Sequence, residues 1–319
     1  MQNKQMIKVF REKEERKMQN VSVKGFIYAA LSSSTFGLAP FFSISLLMAG
    51  FTSFEVLSYR WGVASLALIL FGLCRGESFR IGRKDWAAVF VLSLFRAATS
   101  FSLIIAYQHI ASGVASTIHF MYPLAVALVM MCFFGEKKSF SILFAVFVSL
   151  IGAGLLSTGE IDFEGGNTTT GLIAAVCSVF FYAGYIIGVR QSRAASIPST
   201  PLTCYVMGLG ALFFIIGGCL TGGIRLATEG GLWLNILGLA LPATAISNIT
   251  LVKAIKYIGP TLTSIFGALE PLTAVVIGYW VFKESFTWNN AVGVVLILAA
   301  VTVVVTHKKS PSPKPSANP

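Results

Sequence analysis

Residues 121–140, MYPLAVALVMMCFFGEKKSF, and residues 269–286, LEPLTAVVIGYWVFKESF, decide the fold. Each sets a proline inside an apolar run, ends the run on Phe-x-Glu, and leads into another apolar stretch. Shifted by 148 residues, Ala106, Ile110, Ser116, Pro123, Leu124, Phe134 and Glu136 fall on Ala254, Ile258, Ser264, Pro271, Leu272, Phe282 and Glu284. A self-match of this length marks an internal repeat. Gly25 and Gly171 open the two halves at nearly the same offset, although the first segments of the halves match poorly.

On either side of the motifs, apolar runs near the length that crosses a bilayer core fall at 25–48, 54–74, 86–107, 113–134, 140–157, 171–189, 201–220, 232–251, 260–282 and 287–306. The runs are continuously apolar and not alternating, which predicts helices and not a barrel. Of 319 residues, 55% are hydrophobic and only 12% charged, about half the charge of a soluble domain. Five spans per half is an odd number, so the second half must enter the membrane from the side opposite to the first. The expected fold is therefore an all-α integral membrane protein, ten transmembrane helices arranged as two inverted five-helix repeats. The halves are 25–157 and 171–306, joined by an acidic outer loop at 158–170. A basic cytoplasmic tail (1–24) and a disordered cytoplasmic tail (307–319, ending SPSPKPSANP) flank them.

The net charge of +11 raises the question of nucleic acid, and its placement answers it. Lys4, Lys8, Arg11, Lys13, Arg16 and Lys17 crowd one tail, and Lys308, Lys309 and Lys314 the other. No groove-reading motif accompanies them, and no nucleic-acid partner is expected. With the N-terminus inside, the inner loops hold Arg75, Arg80, Arg83, Lys84, Lys137, Lys138, Arg190, Arg193, Lys253 and Lys256. The outer loops hold Arg225 and Lys283, with Glu160, Asp162 and Glu164 in one of them. That bias predicts both termini in the cytoplasm. Met6 and Phe10 allow a weak surface helix, though a solvated tail is the simpler reading. No cleavable signal is evident, and Asn167-Thr168-Thr169 is a glycosylation sequon relevant only in a eukaryotic secretory pathway.

Five cysteines (Cys74, Cys132, Cys177, Cys204 and Cys219) lie in or beside apolar runs without CxxC spacing. They read as packing residues, with no metal site and no cofactor expected.

The paired motifs, each closing a five-helix half, resemble the drug/metabolite transporter superfamily in its EamA-like ten-helix branch. The resemblance covers the chain from Gly25 to Thr306, and Arg60 in SYRWGVASLALIL matches an arginine often found in the second helix of such proteins. It implies an alternating-access carrier for metabolites or amino-acid-like compounds, often an exporter, in a bacterial inner membrane. Arg96 and the run Ser32-Ser33-Ser34-Thr35 are not general marks of that family.

Ionised groups inside a membrane cost roughly 2.5–3.5 kcal/mol each on insertion scales, so Arg60, Arg96 and Glu270 stand out. On the functional reading, Arg60 or Arg96 holds an anionic group such as a carboxylate, and Glu270 accepts an amino group or a proton. The structural alternative pairs Glu270 permanently with an arginine, and lets Arg60 snorkel to the headgroups. His119 and Tyr122 share a helix face, and Tyr122 is the repeat counterpart of Glu270, so that face can line the same cavity. A packed, hydrogen-bonded His119 is the plainer option. Pro123 and Pro271 are helix-kink candidates that free backbone groups towards a cavity, with Pro40 and Pro242 as further kinks. Tyr182, Tyr185 and the serine run are weaker cavity candidates. Glu136 and Glu284, beside Lys137 and Lys283, read as water-facing structural groups. Gly208, Gly210, Gly217 and Gly218 give the seventh span a small face for close packing.

No GxxxxGK[ST] motif for a pump and no channel filter is present. A membrane-embedded enzyme using His119 or Glu270 lacks metal-ligand spacing and a nucleophile elbow, so no enzyme activity is expected. A membrane scaffold is the other alternative. Substrate, direction, proton coupling and homodimer formation are left open by the residues themselves.

Overall fold

A computed structural model describes residues 23–110, 112–137, 139–156, 166–281 and 287–309. The tail residues from Lys4 to Lys17 with Met6 and Phe10, together with Lys138, Glu160, Asp162, Glu164, Phe282, Lys283, Glu284 and Lys314, lie outside the described residues. Among the described residues, nine helices are long and apolar enough to cross a membrane. They are α1 Val23–Met48, α2 Ser53–Cys74, α3 Trp86–His109, α4 Val114–Phe133, α6 Thr168–Gln191, α7 Ser199–Thr221, α8 Gly230–Ile258, α9 Pro260–Ile277 and α10 Trp288–Thr306. The shorter apolar helix α5, Phe140–Leu156, completes ten.

Local chemistry sets several ends. Thr52 and Glu55 form a reciprocal capping box at the start of α2, and Asn167 caps α6 through the amide of Thr170. Gly222, at φ 139°, stops α7 in a conformation that a side chain would resist. The eighth span differs most from the expected 232–251. Lys253 and Lys256 truncate its apolar run, but the helix continues through them to Ile258, with Lys256 Nζ turning to the carbonyl of Ile197.

Repeat-equivalent helices pack on one another: α2 lies along α7, and α5 along α10. Elements that contact their own counterparts straddle the axis relating the halves. At α5–α10 the backbones come close enough that a side chain on Gly152 would meet the Gly293 carbonyl, and one on Gly293 the Gly152 carbonyl. At α2–α7, Gly210 receives the Trp61 ring and Gly217 the Phe54 ring, so the small face of α7 serves close packing.

Among the described residues, four spans are interrupted near their middles. In α1 the helix breaks at residues 37–38, before Pro40, and in α4 at residues 120–121, before Pro123. In α9 a 3-10 turn, Phe266–Ala268, precedes Pro271, and in α8 a π segment, Leu241–Ile246, contains Pro242. Proline cannot donate to the carbonyl four residues earlier, which loosens the helix at that point. Two of the breaks are repeat-equivalent, those of α4 and α9.

The loops sort to two ends. At one, Arg225 Nε and its backbone N–H donate to Glu55 Oε1 at 3.2 and 2.8 Å, the Tyr59 hydroxyl donates to the Arg225 carbonyl at 2.6 Å, and Arg225 also reaches the Gly50 carbonyl. This bolts the α7–α8 loop onto the α1–α2 turn. At the other end, the Tyr205 hydroxyl donates to the Phe79 carbonyl at 2.6 Å, Arg190 Nη1 donates to the Lys256 carbonyl at 3.0 Å, and Glu136 accepts from the Thr261 hydroxyl. Glu136 thus links α9 to the loop after α4, and does not merely face water.

Candidate functional site

All four interruptions deliver side chains to one central cluster. Phe36 comes from the break in α1, His119 and Tyr122 from that in α4, Thr244 from the π segment of α8, and Glu270 from the turn after the α9 break. The unbroken helices add Arg60 and Trp61 from α2, Arg96 and Ser100 from α3, and Ser178, Tyr182 and Tyr185 from α6. Irregular backbone at membrane depth persists only where protein or a cavity surrounds it.

The Tyr122 hydroxyl donates to Glu270 Oε1 at 3.3 Å, across a separation of 148 residues. That separation is the repeat offset, so two equivalent positions touch. A residue can meet its own counterpart only on the axis relating the halves, and the α4–α9 contact therefore lies on it. The surroundings are shaped for this pair. A Cβ on Gly267 would collide with the Tyr122 hydroxyl, and one on Gly37 would press on the Glu270 carbonyl and Thr273, so the breaks of α1, α4 and α9 nest on glycine. Glu270 keeps partial exposure although its partner Tyr122 is buried.

Among the described residues Arg96 is the most enclosed charge, with 1% exposure. Nε donates to Asn248 Oδ1 at 2.9 Å and Nη1 to Ser100 Oγ at 3.3 Å. Its guanidinium carbon lies 5.3 Å from the ring centre of Phe36, 5.9 Å from Trp61, 5.1 Å from Tyr182 and 5.8 Å from Tyr185. Each such contact contributes about 0.5–2 kcal/mol, most where water is excluded. Asn248 is held in turn, its Nδ2 donating to the Thr244 carbonyl at 2.7 Å.

Arg60, at 6% exposure, turns inward and not towards the headgroups. Nε donates to Thr244 Oγ1 at 2.7 Å, and the Thr244 hydroxyl donates to the Leu239 carbonyl at 2.7 Å, five residues back as the wider π turn allows. The Arg60 guanidinium shares the Phe36 ring with Arg96, at 5.5 Å. Its Nη2 is buried without a partner.

Among the described residues, no ion pair within 4.0 Å joins Glu270 to either arginine, although Arg96 lies within its electrostatic range. The permanent Glu–Arg bridge considered from the sequence is absent from this arrangement. His119 Nδ1 lies 2.8 Å from Ser178 Oγ. Because the Ser178 hydroxyl donates to the Ala175 carbonyl at 2.6 Å, Nδ1–H is the donor to Ser178, and the opposite nitrogen, Nε2, is left buried and unpartnered. The α4 turn separates His119 from Tyr122, yet their rings meet at 5.3 Å, and Tyr182 stacks on His119 at 5.2 Å.

Sequence reasoning singled out Arg60, Arg96, His119, Tyr122 and Glu270, and the structure brings all five together beside Pro123 and Pro271. It missed Asn248 and Thr244, the acceptors that hold the arginines. A buried asparagine in an apolar span was the available signal. Ser32 of the serine run donates to the Ser247 carbonyl at 2.8 Å, tying α1 to α8, while Thr35 bonds back to Leu31 at 2.7 Å.

The EamA-like transporter family matches residues 23–158 and 169–306. An uncharacterized transporter of Archaeoglobus fulgidus is 27% identical over 223 residues, 70% of this chain and 77% of that one. The uncharacterized inner membrane transporter YicL of Salmonella typhimurium is 23% identical over 245 residues, 76% of this chain and 81% of its own. A solved crystal structure superposes with a TM-score of 0.74 at 18% identity, covering 91% of this chain and 99% of that one.

Proposed function

The chain belongs to the EamA-like transporter family, and on that premise we propose that this multi-pass membrane transporter is a secondary carrier. It moves a small metabolite or amino-acid-like solute by alternating access, as an exporter, and it is not an enzyme. The observation that carries the reading is the Tyr122–Glu270 hydrogen bond between repeat-equivalent positions. An inverted-repeat carrier exchanges the conformations of its halves about their common axis, so a site on that axis serves both states equally. A polar cluster there, in the middle of four interrupted helices, is where a solute path would run. Glu270 is then the acceptor for an amino group or a proton on that path. The Lys and Arg bias of the loops supports an inner-membrane orientation with both termini and the Phe79–Lys256 end in the cytoplasm.

The test is untargeted metabolite profiling of medium and cell extract from cells that overproduce the protein and cells that lack it. A compound accumulating in the medium only with the protein is the expected result. Selective depletion from the medium would reverse the direction to uptake. Unchanged pools with the protein abundant in the membrane would contradict the carrier.

A further inference from the structure

The aromatic cage at the centre is already filled, and by the protein's own cation. Rings set around a point at 5–6 Å ordinarily suit a cationic ligand, but here Phe36, Trp61, Tyr182 and Tyr185 enclose the Arg96 guanidinium. A second guanidinium, that of Arg60, approaches the same Phe36 ring. Against these two positive charges the cluster offers one carboxylate, Glu270, which pairs with neither within 4.0 Å. A cationic solute would therefore enter an excess of positive charge and find its cage taken, an arrangement that rejects it by repulsion.

The unmatched donors point the same way, His119 Nε2 being the one unpartnered acceptor nitrogen of the cluster. Arg60 Nη2, Trp61 Nε1 and the Tyr185 hydroxyl are buried without a partner. The first two donate only, and the third can donate. A buried donor left unmade, above all on a charged group, is costly and calls for an acceptor. Arg96 has its acceptors, Asn248 and Ser100. Arg60 is engaged through Nε alone and presents a free edge.

We propose that the transported solute is an organic anion whose carboxylate is held by the free edge of Arg60, while Arg96 stays in its cage as a fixed charge that sets the sign of the site. This rests on the carrier reading above and specifies its solute class. Arginine suits the role because its planar fork presents parallel donors to a carboxylate.

The experiment uses the full-length purified protein in lipid nanodiscs and three probes of nearly equal shape: benzoate, benzamide and benzylamine, at neutral pH. Binding is read from the rise in thermal unfolding midpoint with concentration. Benzoate is expected to bind roughly tenfold or more tighter than benzamide, and benzylamine weakest of the three. This ranking needs no variant, so it decides the sign of the site even if substitutions fold poorly. In Arg60→Gln the benzoate preference over benzamide should vanish, and Arg60→Lys should restore part of it. Benzylamine binding as well as benzoate, no benzoate binding, or an undiminished benzoate preference in a folded Arg60→Gln protein would each overturn the proposal. Profiling that finds an exported compound while benzoate is not preferred sinks the anion site and leaves the carrier intact. Selective benzoate binding without any transported compound does the reverse.

Discussion

Glu270→Gln is expected to reduce solute movement to the background of cells lacking the protein, with the variant folded and in the membrane at normal amount. Glutamine keeps the shape and an oxygen that can accept from the Tyr122 hydroxyl, so the contact on the axis persists. The volume is conserved, so the exchange opens no cavity and overpacks nothing. Among the described residues of the central cluster the substitution removes the one carboxylate, the group proposed to take up a proton or an amino group there. The measurement is efflux of the compound found by profiling, compared at matched protein levels. Full transport by Glu270→Gln would show that the carboxylate takes no part.

Arg96→Ala is expected to fail earlier, at folding. The side chain is enclosed by four aromatic rings and two polar acceptors, and truncation leaves a cavity comparable to a lost core aromatic, about 3–5 kcal/mol. It also strands Asn248 Oδ1, for which an unmet acceptor adds about 1–3 kcal/mol. Folded yield from membranes and the unfolding midpoint in detergent should both fall sharply. Arg96→Lys should recover only part of the loss, because one ammonium cannot reproduce the forked bonds to Asn248 and Ser100. Wild-type stability in Arg96→Ala with transport abolished would assign Arg96 to the solute and contradict its place as a fixed charge.

The ten spans and the inverted halves were legible because bilayer crossing demands long apolar runs and because the motif around Pro123 returns around Pro271. The same offset identified Tyr122 as the counterpart of Glu270, and the two prove to be in contact. Hydropathy served less well where charges reach out of a helix: Lys253 and Lys256 shortened the expected eighth span, although their long side chains let the helix run on to Ile258. The position of Arg60 near the start of α2 suggested snorkelling. What turns it inward is Thr244, nearly two hundred residues away in the chain, a pairing no single-segment pattern encodes. Asn248 escaped notice for the same reason. An uncharged polar residue barely disturbs an apolar run, and its importance lies in what it holds. Pro40 marked the kink in α1, but the part of Gly37 was quiet, since it is needed only because α9 passes against it.

On the proposed carrier mechanism, the Tyr122–Glu270 contact lies on a path that opens to each side of the membrane in turn. The most direct test places a single cysteine at Tyr122, in a protein whose five native cysteines are replaced by alanine, and applies a membrane-impermeant thiol reagent to right-side-out and inside-out vesicles. Alternating access predicts labelling from both sides, each at a rate that changes when the exported compound is added. Labelling from one side alone, or from neither, would contradict it.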